Sequence, residues 1–269
     1  MDQYGVVGHP VSHSWSPFIH GLFARQTDQR LTYRLYDIAP AQFRGEVLEF
    51  FAHGGKGLNV TAPHKEAAAD LANELTARAE RAGAVNTLMI EGDHHLVGDN
   101  TDGAGLVRDL ERNLNVPVAD RRVLILGAGG AARGVLGPLL GLQPAELIVA
   151  NRGADRAINL ASLFADLGTV RGCGFADLSG EPFDLVINAT SAGLTGAVPD
   201  LSPSIVGRDT ICYDMTYGKT DTPFVVWAQQ RGCAQAVKGW GMLVEQAAES
   251  FFLWRGVRPE TAPVLAVLS

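Results

Sequence analysis

The chain is poor in cysteine, and the cysteines it has form no recognisable motif. Cys173, Cys212 and Cys233 are odd in number, and no two of them make a C-x-x-C pair. A disulfide framework or a cysteine-based zinc site needs an even, closely spaced set. We therefore expect reduced thiols in a cytoplasmic protein. The seven histidines also lack metal-ligand spacing, so we expect no metal site.

Long apolar runs and an excess of basic charge are absent as well. No run of about 18 apolar residues occurs, and we expect no signal segment after Met1. The formal net charge of −7 argues against a nucleic-acid partner and against a polybasic membrane patch. A content of 46% hydrophobic and 19% charged residues is typical of a folded enzyme. We expect a small-molecule substrate, with no nucleic acid and no membrane involved.

A glycine-rich segment in the middle of the chain is the most informative feature that is present. The apolar run 122–126 is typical of a buried strand, and it ends at a G-x-G-x-x-A pattern made by Gly127, Gly129 and Ala132. The first glycine suits a tight turn, the second lets a pyrophosphate approach the backbone, and the small third residue lets a helix pack closely. The N-terminus of that helix would face the phosphates. The segment therefore predicts dinucleotide binding.

Strand-like and helix-like segments alternate along the whole chain, which predicts an α/β fold with two domains. Before the glycine-rich segment, we expect a mostly parallel sheet with strands over 4–8, 31–38 and 58–60, a hairpin of 84–90 with 95–98, helices opening at Ser16-Pro17 and running over 40–52 and 64–82, and a loop over 54–57. After it, apolar strands over 123–126, 146–150, 183–188 and 210–213 predict a doubly wound parallel sheet. Helical stretches after Asp102 and over 242–254 would join the two domains across a cleft.

The end of the second strand of the later domain bears on the choice of cofactor. It consists of Asn151-Arg152, with Arg156 one helical turn further on. An acidic residue here would bind the ribose of NAD, whereas arginine suits the 2′-phosphate of NADP. The arginines favour NADP, although Asp155 lies between them and both could be solvated surface residues. Asn188-Ala189-Thr190-Ser191 and Met215 follow later strands, at the edge where a nucleotide would cross.

Two serines in the first domain lie beside a predicted helix start. Ser14 and Ser16 are two residues apart, and Pro17 follows, which makes Ser16 a plausible N-cap. Hydroxyls at a helix N-terminus favour an anion, most simply a substrate carboxylate. Ordinary capping by Ser16, with Ser14 exposed, is the alternative.

Lys65 and Asp102 are candidates for proton chemistry. Lys65 follows Asn59-Val60-Thr61-Ala62-Pro63-His64 near a helix start, where the helix dipole disfavours a positive charge. A residue so poorly placed for stability is a functional candidate. Asp102 would begin the bridging helix and face the cleft. Together they would make a general acid–base pair, but either could be an ordinary surface charge.

Seven motifs, in order and spacing along essentially the whole chain, resemble the shikimate dehydrogenase family. They are Ser14-x-Ser16-Pro17, Asn59-Val60-Thr61-x-Pro63-x-Lys65, Ala84-Val85-Asn86-Thr87, Gly98-Asp99-Asn100-Thr101-Asp102-Gly103, Gly127-Ala128-Gly129-Gly130-Ala131, Asn188-Ala189-Thr190-Ser191 and Gly241-Met242-Leu243-Val244-x-Gln246-Ala247. The resemblance implies NADP-linked interconversion of shikimate and 3-dehydroshikimate in aromatic biosynthesis.

The resemblance also implies roles for the matching residues. Lys65 and Asp102 would be the catalytic pair, and Ser14 and Ser16 would hold the substrate carboxylate. The other substrate contacts would be Asn59, Thr61, Asn86, Tyr217 and Gln246. The cofactor would lie on Gly127, Ala128, Gly129, Gly130, Ala131, Asn151, Arg152, Arg156, Thr190, Ser191, Met215 and Gly239. The substrate domain would comprise residues 1–103 plus 240–269, and a Rossmann-type NADP-binding domain residues 104–239.

The chain departs from the family pattern at four places. Trp15 stands where the family often has lysine, and His64 precedes Lys65 where phenylalanine is familiar. Gly153 replaces a threonine that would help to hold the 2′-phosphate, and Lys238 and Trp240 alter an Asp-Gly-Leu-Gly run. These departures leave open a quinate/shikimate dehydrogenase using NAD or NADP, or a ligand-binding paralogue of low activity. Either a monomer or a homodimer is expected.

Overall fold

Two six-stranded sheets organise residues 1–92, 94–190, 192 and 198–268, which are the residues that this computed structural model describes. The chain divides into two compact units. Unit 1 comprises Met1–Leu106 and Leu243–Ser269, and unit 2 comprises Val107–Met242.

Unit 1 contains a mixed sheet in the order β2-β1-β3-β5-β6-β4. Its strands are β1 Asp2–Gly8, β2 Leu31–Asp37, β3 Gly55–Val60, β4 Glu74–Leu75, β5 Thr87–Glu91 and β6 His95–Asp99. Strand β1 is parallel to β2 and β3, and β4 is parallel to β6, whereas β5 is antiparallel to β3 and β6. The expectation of a mostly parallel sheet and of a β5–β6 hairpin is confirmed.

The helices of unit 1 cover this sheet. They are α1 Ser16–Gln26, α2 Phe43–Ala52, α3 Lys65–Leu71, α4 Ala77–Ala82 and, after the excursion into unit 2, α10 Ala262–Leu268. The chain leaves unit 1 within α5, Asp102–Arg108, and returns within α9, Trp240–Arg255. A core of fully buried aliphatic side chains, including Val7, Val47 and Leu88, lies between sheet and helices.

The loop expected over residues 54–57 is wrong, because β3 begins at Gly55. The glycines have a packing reason. A Cβ atom at Gly55 would lie 2.2 Å from the Phe50 ring, and one at Gly57 would lie 2.4 Å from the Trp254 indole. Two aromatic rings lie directly on this strand, and only glycine leaves room for them.

The single helix expected over residues 64–82 is also wrong. It ends at Leu71, and β4 intervenes before α4 begins. Asn73 bonds to the backbone of Leu96 through both its N–H and its side-chain oxygen, at 2.8 and 2.9 Å. The Thr76 hydroxyl then caps α4 by accepting from the Ala79 N–H. Cross-strand bonding and a new N-cap therefore outweigh the helical composition.

Unit 2 is a doubly wound parallel sheet with helices between its strands. The strands are β7 Arg122–Leu126, β8 Glu146–Asn151, β9 Val170–Gly174, β10 Leu185–Asn188, β11 Ile211–Asp214 and β12 Gln235–Lys238. The helices are α6 Gly130–Gly141, α7 Ala154–Ser162 and α8 Pro223–Gln230. The order β12-β11-β10-β7-β8-β9 is that of the Rossmann fold, as expected.

The bridging helix and the remaining irregular elements add little to this frame. Helix α5 continues as a π-helical segment over Asp109–Asn113, and 3₁₀ segments cover Pro40–Gln42, Phe175–Asp177 and Pro203–Ile205. The cysteines 173, 212 and 233 are free thiols. Within the described ranges, no helix combines the length and apolar character that a membrane span requires. No cluster of three or more potential metal ligands occurs among these residues either.

A buried histidine lies in the aromatic core of unit 1. His20 is 1% exposed, and its ring stacks on that of Tyr33 with centroids 4.2 Å apart. Neither ring nitrogen makes a hydrogen bond of normal geometry to any described residue. Burial lowers the pKa of His20 from 6.5 to about 3, against a smaller opposing effect of the Asn59 amide. His20 is therefore neutral in the folded protein.

This histidine should make the protein's stability depend on pH. The unfolded chain takes up a proton as the pH falls below 6.5, whereas the folded chain does not until about pH 3. The stability from neutral His20 is complete above pH 6.5 and decreases on acidification by about 1.4 kcal/mol per pH unit. His20→Phe, which preserves the stacking, should remove this dependence. Urea unfolding at pH 7, 6 and 5 measures the difference between the two proteins.

The exposed residue His13 provides the control, because its substitution by glutamine removes a histidine without changing the core. His13→Gln should follow the wild-type pH dependence. If the wild-type and His20→Phe free energies of unfolding stayed parallel from pH 7 to pH 5, the pKa assigned to His20 would be contradicted.

Candidate active site

The structure brings Lys65 and Asp102 together, although they start different helices. Lys65 is the first residue of α3, and Asp102 is the first residue of α5. The Lys65 ammonium donates to Asp102 Oδ2 in an ion pair, with the two side chains 16% and 7% exposed. The helix dipole disfavours a positive charge at the N-terminus of α3, and the Asp102 carboxylate supplies the negative charge that offsets this effect. A largely desolvated ammonium held in this way can bind and protonate an oxygen atom.

The second oxygen of Asp102 is held by a buried amide. Asn86 Nδ2 donates to Asp102 Oδ1 at 2.8 Å, and Asn86 Oδ1 accepts from the Thr101 N–H at 2.8 Å. The Asp102 N–H donates to Asn100 Oδ1 at 3.1 Å. Gln246 Oε1 lies 3.3 Å from Asn86 Nδ2. The structure therefore assembles Lys65, Asp102, Asn86 and Gln246 into one cluster within unit 1.

An arginine fixes the turn that carries Asp102. Arg78 donates from Nε and Nη2 to the two oxygens of Asp99, each at 2.7 Å, and Thr76 Oγ1 donates to the same carboxylate at 2.6 Å. Burial alone would raise the pKa of Asp99, but the hydrogen bonds from Arg78 and Thr76 hold this pKa below its usual value. Asp99 thus stays ionised and anchors the chain three residues before Asp102.

Asn59 lies beneath this cluster and bonds to protein groups through both ends of its amide. Oδ1 accepts from the Tyr33 hydroxyl at 2.7 Å, and Nδ2 donates to Ser250 Oγ at 3.0 Å. These contacts brace β3 against β2 and α9. A contact of Asn59 with substrate stays a prediction.

The two serines lie together at the start of α1, but Ser16 is not the N-cap. That position belongs to Trp15, which makes no side-chain capping bond, and Ser16 is the first helical residue. Ser14 Oγ accepts from the Ser16 N–H at 3.3 Å and donates to Ser16 Oγ at 3.1 Å. The Ser14 hydroxyl therefore binds the N–H of the first helical residue, and the prediction of Ser16 as N-cap was wrong because the helix begins one residue earlier. The Trp15 ring meets Phe18 edge-to-face at 5.9 Å.

Thr61 and His64 follow the end of β3. The Thr61 N–H donates to the Val7 carbonyl at 2.9 Å, and its side chain is half-buried. His64 Nε2 bonds to the Ile38 carbonyl at 2.7 Å, and its ring stacks on Phe43 at 4.5 Å. Burial lowers the pKa of His64. The extra ring beside Lys65 is therefore a neutral core residue.

The glycine-rich turn of unit 2 presents backbone where a dinucleotide would bind. Gly127 has φ +106°, and a Cβ atom there would lie 3.1 Å from the Ala189 carbonyl oxygen. Gly129 occupies the N-cap position of α6, where a Cβ atom would meet no atom within 4 Å. Ala128, Gly130 and Ala131 complete the turn and open the helix. The first N–H groups of this 12-residue helix have no acceptor within the helix, so its N-terminus fits a pyrophosphate.

Arg152 and Arg156 follow β8 and are exposed. Among the described residues, neither makes an ion pair or a side-chain hydrogen bond. Asn151 Nδ2 donates to the Gly153 carbonyl at 3.0 Å, which shapes the turn into α7. Two arginines without acidic partners at the end of the second strand fit a phosphate on the ribose.

Thr190, Met215 and Gly239 lie after strands β10, β11 and β12, at the same edge of the sheet as the glycine-rich turn. Asn188 orders this edge, because its Oδ1 accepts from Thr190 Oγ1 at 2.7 Å and its carbonyl accepts from the Met215 N–H at 3.0 Å. Ser191, the remaining predicted cofactor contact, lies outside the described residues.

Tyr217 belongs to unit 2. Its ring lies 5.1 Å from that of Trp240, whose indole N–H donates to the Gly218 carbonyl at 3.3 Å. Lys238 pairs with Asp221 at 3.4 Å. The structure places Tyr217 in unit 2, against the ring of Trp240, which is one of the departures from the family pattern.

The sequence interpretation missed the residues that support the Asn86 amide. Thr87 and Thr101 bond to this amide directly, whereas Ser250 bonds to both threonines and Tyr33 bonds to Asn59. Thr87 and Thr101 belong to motifs described above, but the sequence interpretation assigned no role to either residue. Ser250 follows Gln246 by four residues and therefore lies on the same face of α9, which is a signal that could have been used.

Comparisons with known proteins place the chain among enzymes of shikimate metabolism. Family models match residues 6–88 (shikimate dehydrogenase substrate binding domain), 109–195 (shikimate/quinate 5-dehydrogenase) and 239–268 (shikimate 5′-dehydrogenase C-terminal domain). A shikimate dehydrogenase (NADP(+)) of Aeromonas salmonicida is 56% identical over 268 residues, covering 100% of this chain and 97% of the relative.

Solved structures agree with this placement. The crystal structure of an Ael1 enzyme from Pseudomonas putida is 44% identical with a TM-score of 0.91, covering 100% of this chain and 98% of the other. A shikimate 5-dehydrogenase from Thermus thermophilus, solved with NADP(H) and shikimate, is 29% identical with a TM-score of 0.87, again covering 100% and 98%.

Proposed function

The chain belongs to the shikimate dehydrogenase family, and from that premise we propose a role for each of its site residues. The enzyme interconverts 3-dehydroshikimate and shikimate with NADP as cofactor, a step of aromatic biosynthesis. Unit 1 binds the substrate, unit 2 binds NADP, and the pair Lys65–Asp102 carries the proton. The observation that supports these roles best is the buried ion pair of Lys65 with Asp102.

Proton transfer follows from the geometry of this pair. When bound, NADPH supplies the hydride that reduces the substrate ketone. Lys65 donates a proton to the ketone oxygen, so that a hydroxyl forms, and in the reverse direction it accepts that proton. Asp102 aims the ammonium through Oδ2 while Asn86 holds Oδ1 at 2.8 Å. A positioned acid–base group of this kind typically contributes 10²–10⁴-fold to the rate.

Substrate orientation depends on the polar groups near this pair. The hydroxyls of Ser14 and Ser16, adjacent at 3.1 Å, donate hydrogen bonds to the substrate carboxylate at the start of α1. Thr61, Asn86 and Gln246 bond to the ring hydroxyls or the carboxylate, and we assign Asn59 and Tyr217 to the same set.

NADP binding depends on backbone groups and two arginines. The turn from Gly127 to Ala131 holds the pyrophosphate, and Arg152 and Arg156 pair with the 2′-phosphate. Asn151, Thr190, Met215 and Gly239, which lie along the same sheet edge, line the remainder of the nucleotide, and we assign Ser191 to the same set. We also propose a cytoplasmic enzyme, in line with its three free cysteines, that acts as a monomer or a homodimer.

A spectrophotometric assay tests the proposal directly. Absorbance of the reduced nicotinamide is followed with shikimate or quinate, each with NADP or NAD. The expected result is efficient turnover of shikimate with NADP. Quinate turnover at a comparable rate would instead identify a quinate/shikimate dehydrogenase, and no turnover of either compound would identify a ligand-binding paralogue.

Lys65→Ala should reduce turnover by roughly 10²–10⁴-fold while NADP binding persists, because the variant loses its proton donor. Asp102→Asn should also slow turnover, and the double variant should be little slower than Lys65→Ala, because the two residues act as one unit. Steady-state kinetics at saturating shikimate measure both effects.

Lys56→Ala is the matched control, since Lys56 is an exposed lysine of β3 in the same unit. It should behave as the wild type. Near-normal turnover of Lys65→Ala at saturating shikimate would make Lys65 at most a binding residue, contrary to the proposal.

Ser14→Ala should act on substrate affinity rather than on turnover. The hydroxyl makes a hydrogen bond to a charged carboxylate, worth about 1.5–3 kcal/mol, so KM for shikimate should increase about tenfold to a hundredfold. Ser12→Ala, at an exposed serine two residues away, should leave KM unchanged. A large decrease of kcat without a change of KM would exclude the role given to Ser14.

Arg152→Ala should raise KM for NADP about tenfold or more and leave that for NAD almost unchanged, because only NADP carries the 2′-phosphate. Arg208→Ala removes another exposed arginine of unit 2 and should change neither value. Equal effects of Arg152→Ala on the two cofactors would contradict the assignment.

A further inference from the structure

Three buried hydroxyls meet beneath the catalytic pair in unit 1. They belong to Thr87 at the start of β5, Thr101 before α5 and Ser250 in α9, and each residue is 0% exposed. Ser250 Oγ lies 2.8 Å from Thr87 Oγ1 and 3.1 Å from Thr101 Oγ1. We call these three residues the hydroxyl triad. Because none of its members titrates near neutral pH, the triad can orient its neighbours but cannot act as an acid or a base.

The triad bonds to Asn86 with fixed polarity. Thr87 Oγ1 donates to Asn86 Oδ1 at 2.9 Å, and the Thr101 N–H donates to the same oxygen at 2.8 Å. Thr101 Oγ1 accepts from Asn86 Nδ2 at 2.9 Å. With its oxygen occupied by two donors, the Asn86 amide must turn its nitrogen toward Asp102, where Nδ2 donates to Oδ1 at 2.8 Å.

Asn59 sets the direction of the hydrogen bonds from the other side. Its Oδ1 accepts from Tyr33, so its Nδ2 faces the triad and lies 3.0 Å from Ser250 Oγ and 3.3 Å from Thr87 Oγ1. Both hydroxyls can then accept from Asn59. Thr87 directs its own proton to Asn86, and Ser250 can donate to Thr87 Oγ1 at 2.8 Å or to the Gln246 carbonyl at 3.1 Å.

A fully buried cluster of this kind is a poor choice for stability alone. Polar groups taken out of water stabilise a fold only when all of them are paired, and apolar side chains of the same shape serve as well or better. A fully bonded polar network does, however, hold its members in one arrangement. Here the network holds the side chain of Asn86, whose Nδ2 donates to the Asp102 carboxylate.

We propose that Thr87 and Ser250 are positioning residues, which act through Asn86 to fix the Asp102 carboxylate against Lys65. The effect falls on turnover, because the reacting proton passes through the pair that Asn86 orients. Substrate affinity depends more on Ser14 and Ser16, which lie at the start of another helix. This inference rests on the proposed function of the Lys65–Asp102 pair.

The test compares two substitutions of Thr87 that perturb packing in different ways. Thr87→Val keeps the shape and removes the hydroxyl, whereas Thr87→Ser keeps the hydroxyl and removes a methyl group. We expect Thr87→Val to lower kcat about tenfold with less than a threefold change in KM for shikimate, and Thr87→Ser to recover most of that loss. Thr32→Val makes the same exchange in β2, where the hydroxyl donates to the Asp2 carbonyl and not to the triad, and it should leave kcat unchanged.

The thermal unfolding of each variant is measured as well. Activity is then assayed at a temperature well below the Tm of that variant. Wild-type kcat in Thr87→Val, or equal losses in Thr87→Val and Thr87→Ser, would overturn the proposal, because packing alone would then explain the residue. If Thr87→Val does not fold, Ser250→Ala takes the same measurements, and a wild-type kcat in that variant overturns it. Inactivity of the unchanged chain toward shikimate would contradict the proposed function instead, so the two failures are distinguishable.

Discussion

The Asp102 carboxylate is the group on which the arrangement of unit 1 depends. Its two oxygens have different partners, Lys65 on Oδ2 and Asn86 on Oδ1, and its own N–H is held by Asn100. A carboxylate this buried is tolerated only when paired and hydrogen-bonded. The starts of α3 and α5 are therefore tied together by one charged group, and a lysine that is unfavourable at a helix N-terminus becomes favourable beside it.

Stability and positioning are separated within the same unit. Aliphatic side chains such as Val47, Leu58 and Leu88 form a core between the sheet and its helices and supply the burial that folding requires. The polar groups lie on the other side of β3 and β5, where Asn59 and Thr87 contact α9. Burying these polar groups costs free energy unless every bond is made, so this side gains a single geometry rather than extra stability.

The parts of the fold that could be predicted are those whose cause is local. Strands β7 and β10 are continuous apolar runs because both neighbours and both faces are covered. Strands β9 and β12 were missed because they form the edges of that sheet and carry Arg171, Gln235 and Lys238. The glycines of β3 resembled a loop because their packing reason is not local in sequence: the Trp254 ring that packs on Gly57 comes from the other end of the chain. The inward direction of His64 depends on Ile38 and Phe43 and could not be foreseen either.

The same reasoning separates the two halves of the candidate site. A phosphate site made of backbone N–H groups needs glycines in one short segment, so the glycine-rich turn after β7 could be predicted from the sequence. The cluster around Lys65 and Asp102 instead joins side chains from α3, α5 and α9, and Ser250 meets Thr87 across 163 positions of chain. Cofactor choice lies between these cases. A Cβ atom at Gly153 would come no closer than 4.0 Å to any atom, so the structure has room for the threonine that the family pattern has at this position. In the proposed function, the charge for a 2′-phosphate comes from Arg152 and Arg156, and neither forms an ion pair with another described residue.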